Sequence, residues 1–288
     1  LLQLLPVIAG IGIAKPILTA RTSHFFLCLG GLALMLGFIF SQPWLLYCAM
    51  LSLLLSLGLY LIAIGWVLIK KMSQGDSITG FRFAMVALAI TLLMGLGLLA
   101  NHLGFTLLPS TKHITNIHAI WGLVGWAGLL IIAVSYQVIP MFHVAPSFPK
   151  LVMTYLTGSV FVLLILFMLM PSLGMPLLFI SHGLFAISLL WVIKHRKRKV
   201  PDTSIRYWQL AASSLLVLNI LYFLPSNIFP EGIAERKTLL LTSIFIYFYL
   251  LSVIEGMLLK ILPFLSYTHL QQRCLMDFTS MQYLPNMH

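Results

Sequence analysis

Apolar residues run through this chain in long unbroken blocks, with the polar residues gathered between them. Eight blocks stand out: Phe25 to Phe40, Trp44 to Ile69, Phe83 to Ala100, Ile117 to Phe142, Leu151 to Met170, Pro176 to Ile193, Trp208 to Leu224 and Leu239 to Leu262. Each is close to the roughly 20 residues that a helix needs to cross the hydrocarbon core. Transmembrane strands would instead give short segments of alternating character. The pattern predicts an all-α fold, a polytopic transmembrane helix bundle with eight full spans, forming a single domain over residues 1–288. Ahead of these blocks, Leu1 to Ala14 is apolar but short, with no initiator Met, basic n-region or cleavage site. It reads as the truncated end of a ninth helix, so the chain reads as a fragment lacking an upstream helix.

Composition sharpens this picture. Hydrophobic residues make up 60% of the chain and charged residues 8%, where soluble domains carry about 25% charge. The bilayer is therefore the expected surrounding. The 17 Lys and Arg residues fix an expected orientation, because they favour cytoplasmic loops. If the first segment leads inward, Lys15, Arg21, Lys70, Lys71, Arg82, Lys150, Lys194, Arg196, Lys197, Arg198, Lys199, Arg206, Lys260 and Arg273 share the cytoplasmic side with the C-terminus. Lys112, Arg236 and Lys237 fall on the other side. The net charge of +11 is then mainly a topology signal. The run Lys194 to Lys199 lies at a helix end, where a cytoplasmic anchor is expected, and argues for no nucleic-acid partner.

Familiar soluble-enzyme motifs are absent from the sequence. It has no Gly-rich phosphate loop, no G-x-S-x-G elbow and no HExxH. Cys28, Cys48 and Cys274 form neither a CxxC nor a haem-attachment CxxCH pattern and read as buried structural thiols.

Polar residues placed in or at the edge of the membrane are costly there and point to function. Nine histidines accompany only six carboxylates. His102, His113, His118 and His182 fall on or near one membrane face, whereas His24 and His143 mark the opposite helix ends. Imidazole ligates haem iron and copper, and facing helices of a bundle are a normal place to build such a site. The alternative for each is an interfacial histidine, wet at one end and packed at the other. His182 lies deepest, between the small residues Ser181 and Gly183, which permit close approach of a helix or a flat macrocycle. Within IHAIWGLVGWAGLLIIAVSYQVIPMFHVAPSFPK, residues 117 to 150, the helical period sets His118, Gly122, Gly125 and Leu129 along one face. The two glycines leave a groove below the histidine for a helix or a porphyrin plane.

That segment resembles the H-x-x-x-G-x-x-G-W signature and Tyr-Gln-x-x-Pro-Met-Phe exit of short bacterial membrane proteins related to subunit I of haem-copper oxidases. LLQLLPVIAG at the start, EGMLLKILPFLSYTHLQ around Glu255 and the ending LPNMH agree with the same group. The chain is also distantly similar to the NnrS group of haem- and copper-containing membrane proteins. The resemblance implies non-covalent b-type haem, copper or both, held by histidines between helices in the bacterial inner membrane, and a redox partner protein. It implies His118, His182, His102 and His113 as candidate metal ligands, with Gly122 and Gly125 beside the cofactor. The adjacent His-His pair of a working oxidase subunit is absent. Electron transfer, O2 or NO chemistry, or sensing is therefore expected in place of full oxygen reduction with proton pumping.

Glu255 is the one carboxylate inside a predicted span. Tyr247, Leu251 and Glu255 recur at four-residue spacing, with Ser252 a turn before Glu255. Two readings stand: an interior-facing Glu255 on a proton path with Tyr247, or an ion pair with Lys260 of the same helix. Asn219 reads as an interhelical hydrogen-bonding residue. Two functional classes follow. One is a haem- or copper-binding redox protein in which His118 and His182 belong to one site. The other is a transporter or permease with a path near Glu255.

Overall fold

A computed structural model of the protein describes Leu5 and residues 12–70, 75–107, 109, 112–197 and 199–276, apart from the side chains of residues 231, 234, 269 and 272–276. Among the described residues the chain is helical, with no strand. Six long helices come first: α1 (Pro16–Ile39), α2 (Pro43–Lys70), α3 (Asp76–His102), α4 (Lys112–His143), α5 (Lys150–Leu169) and α6 (Pro171–Lys194). They are followed by α7 (Thr203–Phe223) and by α8, whose consecutive segments are Lys237–Ile244, Phe245–Leu250 and Leu251–Met276. Each of the eight apolar blocks falls on one of these helices. Among the described residues, seven helices are long and apolar enough to cross a membrane, and α7 is not one of them. The segment read as a truncated ninth helix lies almost wholly outside the described residues, as does the ending LPNMH.

Proline marks several starts, as at Pro16, Pro43 and Pro171, where its missing N–H would have had no partner in any case. Two helices change pitch partway. Trp121–Gly128 in α4 and Phe245–Leu250 in α8 are π-helical. A π turn closes its hydrogen bonds one residue later than an α turn.

The chain divides into two compact units, Leu1–Val138 with Phe148–Ser181, and Ile139–Ser147 with His182–His288. In the first, α1 and α2 form an antiparallel hairpin whose contact is built on small residues. A Cβ at Gly30 would lie 2.8 Å from Leu53 Cγ, and one at Gly37 would lie 2.5 Å from Leu46 Cδ2. Buried Ser56 donates to the Ser23 carbonyl across the pair at 2.6 Å. Close backbone approach through small residues, together with polar cross-links, is how helices associate in lipid, where burial of apolar surface gives little drive. Helices α3 and α4 cross in the same way. Gly80 faces Ala133, and a Cβ there would come within 2.6 Å of it. Trp121, 1% exposed, packs edge-on against Phe161, which stacks on Phe83.

In the second unit, Ser204 of α7 donates to the Gly256 carbonyl of α8 at 2.6 Å, beneath a core that includes Trp208, Ala211, Ala212 and Tyr249. Lys237 closes the far end of α7. Its ammonium donates to the Tyr222 and Leu224 carbonyls at 3.0 and 2.7 Å, satisfying acceptors that a helix C-terminus leaves open. Large apolar side chains point outward in both units, among them Ile62, Leu93 and Leu239, as a lipid-facing surface requires. The fold is that of a helical membrane protein.

A candidate ligand cavity beside His118

His118 lies in the last α-helical turns of α4 before its π segment. Its ring is set against α3 at Gly95, where a Cβ would stand 2.9 Å from His118 Cε1. Only a glycine leaves room for the imidazole in this place. Below it, a Cβ at Gly122 would meet Thr91 Cγ2 at 3.2 Å, and one at Gly125 would meet Ala87 Cβ and Leu164 Cδ1 at 3.2 Å. Positions 118, 122 and 125 of α4 therefore descend along positions 95, 91 and 87 of α3. The face read from the sequence exists, and a helix fills the groove beneath its glycines. Gly122 and Gly125 serve that packing.

Beside this contact lies a cavity of about 850 Å³. Leu34, Leu53 and Leu57 supply apolar wall, and Asn101, His102, Lys112, Thr115 and His118 supply its polar groups. His118 is half-buried, and its Nδ1 is buried with no hydrogen-bond partner. An uncompensated buried nitrogen of this kind is costly unless something occupies it. His102 stands exposed at the mouth, edge-on to Phe38 at 5.1 Å. Asn101 accepts from the Leu107 N–H at 2.8 Å and ties down the chain leaving α3. The structure thus brings His118 and His102 to one cavity. His113 is exposed on the first turn of α4 and does not line it.

His182 belongs to the second unit. It is 4% exposed and edge-on to Phe245 at 6.3 Å. The adjacent Gly183 faces Asn219, with 3.2 Å between its Cβ position and the amide. Asn219 therefore meets a neighbouring helix, although its hydrogen bond runs to Leu215 of its own helix at 2.9 Å. Among the described residues, no three of His, Cys, Asp and Glu come together as a metal site would require.

The acidic residue expected inside the bundle does not face inward. Glu255 is exposed on α8, and Tyr247 is 64% exposed. Tyr249 is the tyrosine of α8 that is fully buried, and the face shared by Tyr247, Leu251 and Glu255 is the outward one. Lys260 does not pair with Glu255 either. Its ammonium lies 2.6 Å from Asp202, and His143 Nδ1 lies 3.5 Å from the same carboxylate. Asp202 also accepts from the Ser204 N–H at 3.0 Å as the N-cap of α7. Partial burial pushes its carboxyl up, but the Lys260 ammonium and the Ser204 N–H outweigh that and hold it below the usual carboxylate range. The cysteines differ from expectation as well. Cys28 is exposed, with its sulfur 3.7 Å from His24 Nε2, and Cys48 is partly buried. The Cys274 side chain lies outside the described residues.

A scan against protein-family models, a search of curated proteins and a search of solved structures each return no match.

Proposed function

We propose that the protein is an integral membrane haem-binding protein acting in electron transfer or in O2 or NO chemistry or sensing, with His118 as an iron ligand. The reading rests on one observation. A buried, unpartnered imidazole nitrogen stands at a cavity of about 850 Å³ that carries a second histidine at its mouth. Ligation needs a nitrogen free of protons and of other partners, and His118 Nδ1 meets the second condition. Gly95 admits the ring. The leucines of the wall limit water, and exposed Lys112 offers a cation to the acidic groups of a macrocycle. Haem held there would supply one-electron chemistry, with the residues around the cavity deciding which small molecules reach it.

Copper alone is a poorer fit, since no three donors converge among the described residues. The transporter alternative, with Glu255 and Tyr247 on a path, gains no observation of its own. The same reading takes eight spans and a cytoplasmic C-terminus on the strength of the basic-residue bias, and the bacterial inner membrane and a redox partner protein on the strength of the family resemblance. The test is a haem titration of the purified protein, followed by absorption in the Soret region. Saturable binding near one haem per chain, lost in His118→Ala, is the expected result. Absence of a saturable Soret band, or equal binding by His118→Ala, would overturn the proposal.

A further inference from the structure

We propose that the connection between α6 and α7 forms a binding site for the phosphate of an anionic lipid headgroup. A cavity of about 560 Å³ opens there, lined by Lys194, Arg196, Lys199 and Gln209 with Leu190 as its apolar wall. Among the described residues, no carboxylate lines it. Six Lys and Arg residues lie between positions 194 and 206, against the single carboxylate of Asp202, which already holds Lys260 at 2.6 Å. Arg196 Nη1 also donates to the Ile193 carbonyl at 3.4 Å, and the segment as a whole carries a surplus of positive charge that suits an anion from outside. Arg and Lys donors gathered around one cavity suit the several acceptor oxygens of a phosphate.

The backbone that carries these cations is fastened at both ends. The Lys197 N–H donates to the Val144 carbonyl at 2.9 Å. Asp202 caps α7 through Ser204 and binds Lys260. His195 Nδ1 lies 2.8 Å from the Trp191 carbonyl, and the two rings lie 4.6 Å apart. A tethered loop loses less freedom on taking a ligand than a loose tail would.

Two features favour a lipid over a free anion. Trp191, 45% exposed, stands one turn before Lys194, and exposed tryptophan at a span end sits at headgroup level. Leu184, Ile187 and Trp191 form an exposed apolar strip on α6 that leads away from the cations. A headgroup phosphate held by Lys194, Arg196 and Lys199 would send its acyl chains along that strip. Basic pockets between membrane helices are suited to such headgroups.

The experiment uses the full chain in detergent, titrated with phosphatidylglycerol or phosphatidylcholine and read by native mass spectrometry. The site variant joins Lys194→Gln, Arg196→Gln and Lys199→Gln. The control variant joins Lys15→Gln, Arg21→Gln and Lys70→Gln, with the same loss of charge. The wild type and the control are expected to retain phosphatidylglycerol at least about tenfold better than phosphatidylcholine, and the site variant to lose that preference. An equal loss in both variants, or in neither, would overturn the site. Should the site variant fail to fold, Lys199→Gln alone, at an exposed position, is expected to weaken the preference several-fold, and no change would count against the proposal. A third arm adds inorganic phosphate at millimolar concentration. Full displacement of phosphatidylglycerol would mark a soluble-oxyanion site and overturn the assignment to lipid.

Discussion

Helix α4 carries a histidine near each end, and their surroundings differ in kind. His143, 4% exposed, has Asp202 at 3.5 Å and Lys260 on the same carboxylate. His118 has no carboxylate among the residues of its cavity, a glycine cut away to admit its ring, and a buried nitrogen left without a partner. Neither nitrogen of His143 has a hydrogen-bond partner either, but its ring lies against a carboxylate that the fold itself supplies, which accounts for its place. His118 lies instead at an open cavity, with room for a partner that the chain does not itself supply. The contrast separates a structural imidazole from a candidate ligand more sharply than depth in the membrane does.

The largest expected effect tests that contrast directly. His118→Ala should reduce haem retention at least about tenfold, the equivalent of roughly 1.4 kcal/mol or more in binding, whereas His143→Ala should leave it within about twofold. Soret absorbance per mole of protein measures both, and equal losses would erase the distinction. Next comes Gly95→Ala. The added methyl would stand 2.9 Å from His118 Cε1, so the ring must shift, at the roughly 1 to 3 kcal/mol typical of overpacking. Unfolding in mixed detergent should show that loss together with weaker haem binding.

At the other end, Asp202→Ala removes the N-cap of α7 and the partner of Lys260. Loss of such a cap costs about 0.5 to 2 kcal/mol, and this should appear in the same unfolding assay with haem binding unchanged. The smallest effect is one of pH. The folded-state carboxyl of Asp202 titrates below its ordinary range, so its stabilisation is present above the unfolded value of about 3.9 and is lost as pH falls through the lower folded value. The stability gap between wild type and Asp202→Asn should be constant from neutral pH down to about pH 5 and close below about pH 4. A gap that closes near neutrality would assign the effect to a histidine.

Much of the architecture was written locally. A run of some twenty apolar residues needs no distant partner to declare itself, and every such run became a helix. The face of His118, Gly122 and Gly125 was equally visible, because it rests on spacing within one element. What escaped depends on a second element. Gly95 acquires its role only when α3 lies against His118, and nothing in LLMGLGLLA distinguishes it from Gly97. The pairing of Lys260 with Asp202 joins residues 58 positions apart, while the candidate in sight, Glu255, lay on the same helix. The four-residue spacing of Tyr247, Leu251 and Glu255 did set them on one face, and that face is the exposed one; periodicity groups residues on a helix and does not say which side its neighbours will cover.

The wide turns also govern how the chain tolerates changes of length. A single-residue deletion within Trp121–Gly128 would let the wide turn close into an ordinary α-helix with the flanking stretches near their present phase. A deletion in the α-helical stretch Leu129–His143 would instead rotate everything before it by about 100° relative to everything after it. His118 would then leave Gly95, even though neither residue had been altered. An insertion in the same stretch would swing the ring the opposite way. Along α4 the spacing of residues, and not only their identity, fixes where the imidazole points.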